Sequence, residues 1–195
     1  MIITPNKYSR FTIIVCGTEF SGTSLVAGTL RILGIPMGST FYPEDSHQDI
    51  EFCSPYCDDN MLRAIHTRNT LFKVWGFKYV GLSMYIDKAI KHFTNPVFIY
   101  CHRSLLSTLE TQSKYRSSDE ELIFNHIKES NQLMKTIHQV KPPWMVIEHA
   151  MDANQILTEL IEFTHLIPPQ KVRNTALAFN NRAASYTPLT TPKYF

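Results

Sequence analysis

The fold this sequence predicts is a three-layer α/β/α sandwich around a mostly parallel central sheet, and three observations predict it. Short unbroken apolar runs, FTIIVC at 11–16, NPVFIYC at 95–101 and WMVIEH at 144–149, read as strands buried on both faces. A helical pattern follows each run: VAGTLRILG at 26–34, LLSTLETQSKY at 105–115 and ANQILTELIEF at 153–163. A glycine-bounded turn, GTEFSGTS at 17–24, joins the first strand to the first helix. Alternating strands and helices with right-handed crossovers place helices on both faces of one sheet.

The remaining elements follow in order. SSDEELIFNHIKESNQLMKTIHQV, residues 117–140, carries Leu122, Ile123, Ile127, Leu133, Met134 and Ile137 at roughly helical spacing. Ser118 and Glu121 form a capping-box pattern at its start, so the segment reads as an amphipathic helix whose stripe is explained by packing. Pro142 and Pro143 stop it before the strand WMVIEH. The prolines and threonines from Tyr186 onward read as an irregular tail. With 195 residues, 44% of them apolar, and no internal repeat, residues 1–195 form a single domain with a core of ordinary size.

Charge and cysteine content narrow the function classes. A formal charge of +2 on scattered lysines and arginines gives no electrostatic footprint for nucleic acid or for a membrane surface. The apolar run near the N-terminus is about six residues against the roughly 20 that span a bilayer, and no secretion signal precedes it. A soluble cytoplasmic protein is expected. The four cysteines are no disulfide framework and are expected as free thiols. A zinc site from His47, Cys53, Cys57 and His66 would match no paired-knuckle spacing, and no metal is expected.

GTEFSGTS has the glycine spacing of the Walker A loop, G-x-x-x-x-G-K-[ST], with Thr23 where that loop has lysine. A glycine turn between strand and helix still aims backbone N–H groups at one point, and the helix dipole adds partial positive charge there. The hydroxyls of Ser21, Thr23 and Ser24 add donors, so Gly17, Ser21, Gly22, Thr23 and Ser24 make a neutral, hydrogen-bonding cradle for a phosphate. An ordinary strand-to-helix turn capped by Ser21 is the plainer alternative.

The stretch SGTSLVAGTLRILG resembles the first nucleotide-binding motif of sulfotransferases, a basic residue followed by S-G-T-[ST], in which no Walker lysine is expected. Further segments resemble that family in order. HQDIEF (47–52) is similar to G-x-x-E-D-x-E-F, WGFK (75–78) to W-G-x-K-D-P, and FIYCHRSLLSTLET (98–111) to V-x-R-x-P-x-x-x-x-x-S. VIEHAMDANQILTELIEFTHL (146–166) is similar to the late Y-E-D-L segment and the helix after it. The resemblance implies a P-loop nucleoside triphosphate hydrolase-like sandwich. It also implies 3′-phosphoadenylyl sulfate as co-substrate, no required metal, and an acceptor hydroxyl or amine.

Residue by residue, the resemblance implies the loop for the 5′-phosphosulfate, and Arg103 with Thr111 for the 3′-phosphate. It implies Lys78 for the transferring group and Asp49 or Glu51 as the base. His47 has a suitable intrinsic pKa for the same task. Glu148 falls in the late segment, where the role is structural; a Walker B reading would make it a magnesium carboxylate. Phe20 stands where the family's loop is basic, Gln48 where its motif has glutamate, and Tyr79 and Val80 where it has aspartate and proline. Two alternatives stand beside a sulfotransferase: a silent nucleotide-binding protein of the same fold, and a small-molecule kinase using ATP and magnesium.

Overall fold

A computed structural model describes residues 1–41, 47–54, 56–112 and 119–182. The capping residue Ser118 and the tail from Tyr186 lie outside the described residues. The sheet is built from β1 (Ile2–Thr4), β2 (Phe11–Gly17), β3 (Val74–Lys78), β4 (Pro96–His102) and β5 (Trp144–Glu148), in the order β1-β5-β4-β2-β3. β2, β3, β4 and β5 pair in parallel, and β1 pairs antiparallel on the outer edge of β5. The expected α/β architecture is what the chain adopts.

Every residue of β2 is buried, because the strand has a parallel neighbour on each side and a layer on each face. Its side chains alternate. Ile14 and Cys16 enter one core with Met61, Ala64 and Ile65 of α2 (Asp59–Leu71) and Leu133 and Ile137 of α5 (Asp119–Val140). Phe11, Ile13 and Val15 enter the other core with Val26, Ala27 and Leu30 of α1 (Thr23–Ile32) and Ile156, Leu160 and Phe163 of α6 (Ala153–Thr164). α7 (Gln170–Arg182) covers this second layer, with Ala176 against Leu33 and Leu157. Two short helices, α3 (Ile86–Ala89) and α4 (Leu105–Gln112), complete the set.

Five of these elements go beyond the sequence expectation: β1, β3, α2, α3 and α7. β3 was visible only as a motif, since VWGFK is short and interrupted by Gly76. α2 and α7 are weakly apolar helices held by a few buried contacts each. The stripe of α5 packs in part: Leu133 and Ile137 are buried and Met134 and Ile123 partly so, whereas Ile127 is 47% exposed.

Local chemistry sets the ends. α1 stops in a Schellman arrangement, with Ile35 N–H donating to Leu30 O and Gly34 N–H to Arg31 O, both at 3.0 Å, and with Gly34 at φ 94°. Asp58 and Asp152 accept backbone N–H bonds at the starts of α2 and α6. On β3, a Cβ at Gly76 would stand 2.7 Å from Ile13 O and 2.8 Å from Met37 Sδ, so only glycine lets β3 lie this close to β2. Replacing Gly76 by alanine is expected to cost about 1–3 kcal/mol in urea unfolding, by overpacking against backbone. Gly34→Asn, at an open left-handed position, is expected to cost under about 1 kcal/mol in the same measurement.

Candidate phosphate-binding site

The chain leaves β2 through α1 and α2 to β3 on one side, then crosses to β4 on the other. The C-terminal end of β2 is thus a topological switch point, where open α/β sheets form their ligand crevice. Residues 17–24 lie there.

Gly22 rather than Ser21 is the N-cap of α1, at φ 93° and without a side-chain cap bond. Ser21 instead folds the loop on itself: its Oγ donates to Thr18 O at 2.7 Å and its N–H to the same oxygen at 3.2 Å. The alternative of a turn capped by Ser21 is therefore corrected. Gly17 is pressed against β4, with Cys101 O 2.5 Å from where a Cβ would stand, and Phe20 holds a left-handed φ of 61°.

Cations approach from both flanking strands. Lys78, the last residue of β3, is 3% exposed, and its Nζ donates to Ser24 Oγ at 3.4 Å. Arg103, just past β4, donates from Nη1 to Phe20 O at 3.3 Å, while its Nε is buried with no hydrogen-bond partner. The structure therefore brings Lys78, Arg103 and the loop together. Thr111 is elsewhere engaged: its hydroxyl donates to Ser107 O inside α4, and no hydrogen bond joins it to Arg103 among the described residues.

The segment 47–52 runs beside β3, and its side chains diverge. His47 contacts Arg31 through Nδ1 at 2.9 Å and sits between the rings of Phe41 and Phe179, more than a turn along α1 from the loop. Gln48 Oε1 accepts the Val80 N–H at 3.4 Å, so Gln48 faces the chain just beyond Lys78. Asp49 is fully buried beneath Gly38 and ion-paired to Arg68, whose other nitrogen pairs with Glu51. Burial pushes the Asp49 carboxyl up, and the Arg68 guanidinium pulls it back only in part. Both base candidates are thus held by a cation of α2, and the residue nearer the end of β3 is an amide.

Two contributors lay outside the sequence reading. Arg68 packs over Phe52 and Trp75, 5.0 and 5.4 Å from their centroids, and ties α2 to the acidic segment. Arginine in a helix with no other signal gave nothing to read. His149 donates its N–H to His102 O at 2.8 Å, and its Cδ2 lies 3.5 Å from where a Gly22 Cβ would be. Partial burial, then the Arg103 charge, lower its pKa, and His126 is lowered by burial and then by His102. Glu148 ends β5, which is separated from β2 by β4.

The four thiols are free, as expected from the sequence. Cys16 and Cys101 are buried on β2 and β4, where burial raises the first well above its ordinary value and pushes the second up to about 12. Cys53 is partly buried, and its thiol donates to Asp49 O at 3.2 Å. Among the described residues no group of three or more His, Cys, Asp or Glu side chains could hold a metal ion. No helix among them is long and apolar enough to cross a membrane.

The chain is an α/β protein with a mostly parallel five-stranded sheet and a glycine loop at its switch point, leading into a helix N-terminus. No family model and no curated protein matches the chain. Among solved structures it is similar to the shikimate kinase of Bacteroides thetaiotaomicron at 17% identity and a TM-score of 0.49, over 80% of this chain and 99% of that one. A likeness of that size identifies neither a substrate nor a reaction.

Two measurements test this geometry. Arg68→Ala strands the buried Asp49 carboxylate and is expected to cost about 3–5 kcal/mol in urea unfolding, whereas Asp49→Asn combined with Arg68→Met costs much less. His126 and His149 have folded pKa values below the unfolded value near 6.5, so the unfolded chain binds more protons just below that pH. Their stability contribution is complete above about pH 6.5 and falls as pH drops through that window. The thermal midpoint is expected to decline between about pH 7 and 5, less steeply in His126→Gln.

Proposed function

We propose that the protein binds a nucleotide carrying both a 5′- and a 3′-phosphate, and that it moves a sulfuryl group from 3′-phosphoadenylyl sulfate to a hydroxyl or amine. The observation that carries the reading is Lys78: a buried lysine at the end of the neighbouring parallel strand reaches Ser24 and supplies the cation that Thr23 and Phe20 do not. Phosphate loops of the magnesium–ATP type use a carboxylate at a strand end for the metal. Here the strands flanking β2 end in Lys78 and in His102 followed by Arg103, a charge pattern suited to polyanion oxygens directly.

The orphaned Nε of Arg103 is a buried donor that an anion would satisfy, so the residues present fit such a nucleotide. When bound, 3′-phosphoadenylyl sulfate supplies an activated sulfuryl group. The loop N–H groups and the hydroxyls of Ser21, Thr23 and Ser24 hold the 5′-phosphosulfate, and Lys78 stabilises the oxygen that gains charge. Arg103 takes a second anionic group, with Thr111 the weaker candidate because its hydroxyl is already committed. Glu51, half exposed with one oxygen on Arg68, is the better placed of the two carboxylates to take a proton; Asp49 serves to position the segment. The protein is read as cytoplasmic and as needing no metal, no nucleic acid and no membrane for this task.

The alternatives are a silent protein that binds the nucleotide without transfer, and a kinase using ATP. Calorimetric titration separates them. 3′-Phosphoadenosine 5′-phosphate is expected to bind about 10–100-fold tighter than adenosine 5′-phosphate, the worth of one or more charge-assisted hydrogen bonds. ATP binding that needs magnesium and exceeds both would move the reading to phosphoryl transfer. Lys78→Ala is expected to lower sulfuryl transfer by roughly 10²–10³-fold while changing affinity for 3′-phosphoadenosine 5′-phosphate far less. Undiminished transfer in that variant would remove Lys78 from the chemistry, and tight binding with no transfer to any acceptor would leave the silent protein.

A further inference from the structure

A cleft of about 640 Å³ lies on the β3 side of the sheet, between α2 and residues 36–39. Its α2 wall is one continuous stripe: Asn60, Arg63, Ala64, Thr67, Arg68 and Leu71 recur at helical spacing. That stripe runs roughly 16 Å along the helix. The apolar face of α2 is adjacent, where Met61, Ala64 and Ile65 meet the core. The cleft stripe itself is mostly polar, which packing does not require.

The charges of this cleft are unevenly matched. Arg68 is neutralised by Asp49 and Glu51. Arg63 donates to the amide oxygen of Asn60 and makes no direct ion pair among the described residues, with Asp59 one turn before it on α2. The hydroxyls of Ser39 and Thr67, also in the lining, make no hydrogen bond among the described residues. Glu51 presents an acceptor at the same wall, and the partly buried Phe72 closes the cleft with an aromatic surface.

An exposed guanidinium, several hydroxyl-reading side chains and one aromatic face suit a ligand with a carboxylate and several hydroxyls. The volume is within the range of small-molecule sites. We propose that this cleft binds a small polyhydroxylated anion, a sugar acid in size and chemistry, with its carboxylate on Arg63 and its hydroxyls on Asn60, Thr67 and Glu51. The cleft is separate from the nucleotide loop and shares only Glu51 with the proposed transfer chemistry; its occupancy requires no nucleotide, so binding at Arg63 is tested apart from sulfuryl transfer.

The test compares D-glucuronate with D-glucose, which lacks the carboxylate, by calorimetry on the full chain at constant ionic strength. Saturable binding of glucuronate, at least about tenfold tighter than glucose, is the expected result, an Arg–carboxylate contact being worth that much or more. Arg63→Gln is expected to erase the difference, Arg63→Lys to keep part of it, and both to leave the circular dichroism melt unchanged, because Arg63 is exposed. Thr67→Val is expected to weaken both ligands alike. No saturable glucuronate binding, equal affinity for the two sugars, or a preference that survives in Arg63→Gln would each overturn the proposal.

Discussion

Parallel pairing of β2 on both its edges is the constraint from which the candidate site follows. A strand bonded on one side alone would leave the turn after it at an edge, with solvent where β3 or β4 now stands. Double pairing fixes the register of Val15 against Lys78 and of Gly17 against Cys101. It therefore decides which side chains end level with the loop. The cost is crowding, and glycine absorbs it: Gly17 and Gly76 both lie where another strand's carbonyl leaves no room for a Cβ.

Positive charge at this end of the sheet comes from the neighbours of the loop rather than from the loop. A lysine inside a phosphate loop travels with the backbone that cradles the anion; Lys78 and Arg103 are anchored to separate strands. Lys78 is desolvated, and Arg103 is half buried with one nitrogen already bonded to the loop carbonyl of Phe20. Under the nucleotide proposal, groups held in this way lower the reorganisation that binding requires. The acidic segment plays the opposite part. Its carboxylates are drawn toward α2 by Arg68, so the surroundings of Lys78 carry less negative charge than the sequence HQDIEF suggests.

The layered α/β class, the glycine loop, β4, β5 and the helices after them were legible because each carries a strong local signal: an unbroken β-branched run, a glycine turn, or a clear helical period. β3 and α2 were not, since their identity is set by what they pack against; VWGFK is a strand because β2 offers it an edge, and Gly76 inside it weakens any local reading. That the loop residues, Lys78 and Arg103 come together was legible through motif order along the chain. The partnership of Arg103 with Thr111 was not supported by contact, because residue spacing along a helix says nothing about a hydroxyl's choice of the carbonyl four residues back. Arg68 and His149 were invisible for a simpler reason: both act across elements far apart in sequence.

The cysteines carry a consequence of a different kind. Cys16 and Cys101 lie one register step apart on the two central strands and face opposite cores, and burial raises both thiols above their ordinary range. Cys53 and Cys57 are only partly covered. Alkylation kinetics thus separate into two classes within one unmodified molecule: a pair only partly covered near the acidic segment, and a pair that becomes available only when a helical layer lifts from its face of the sheet. Within the second class, Cys16 and Cys101 each report the lifting of a different layer, readable by mass without any introduced label.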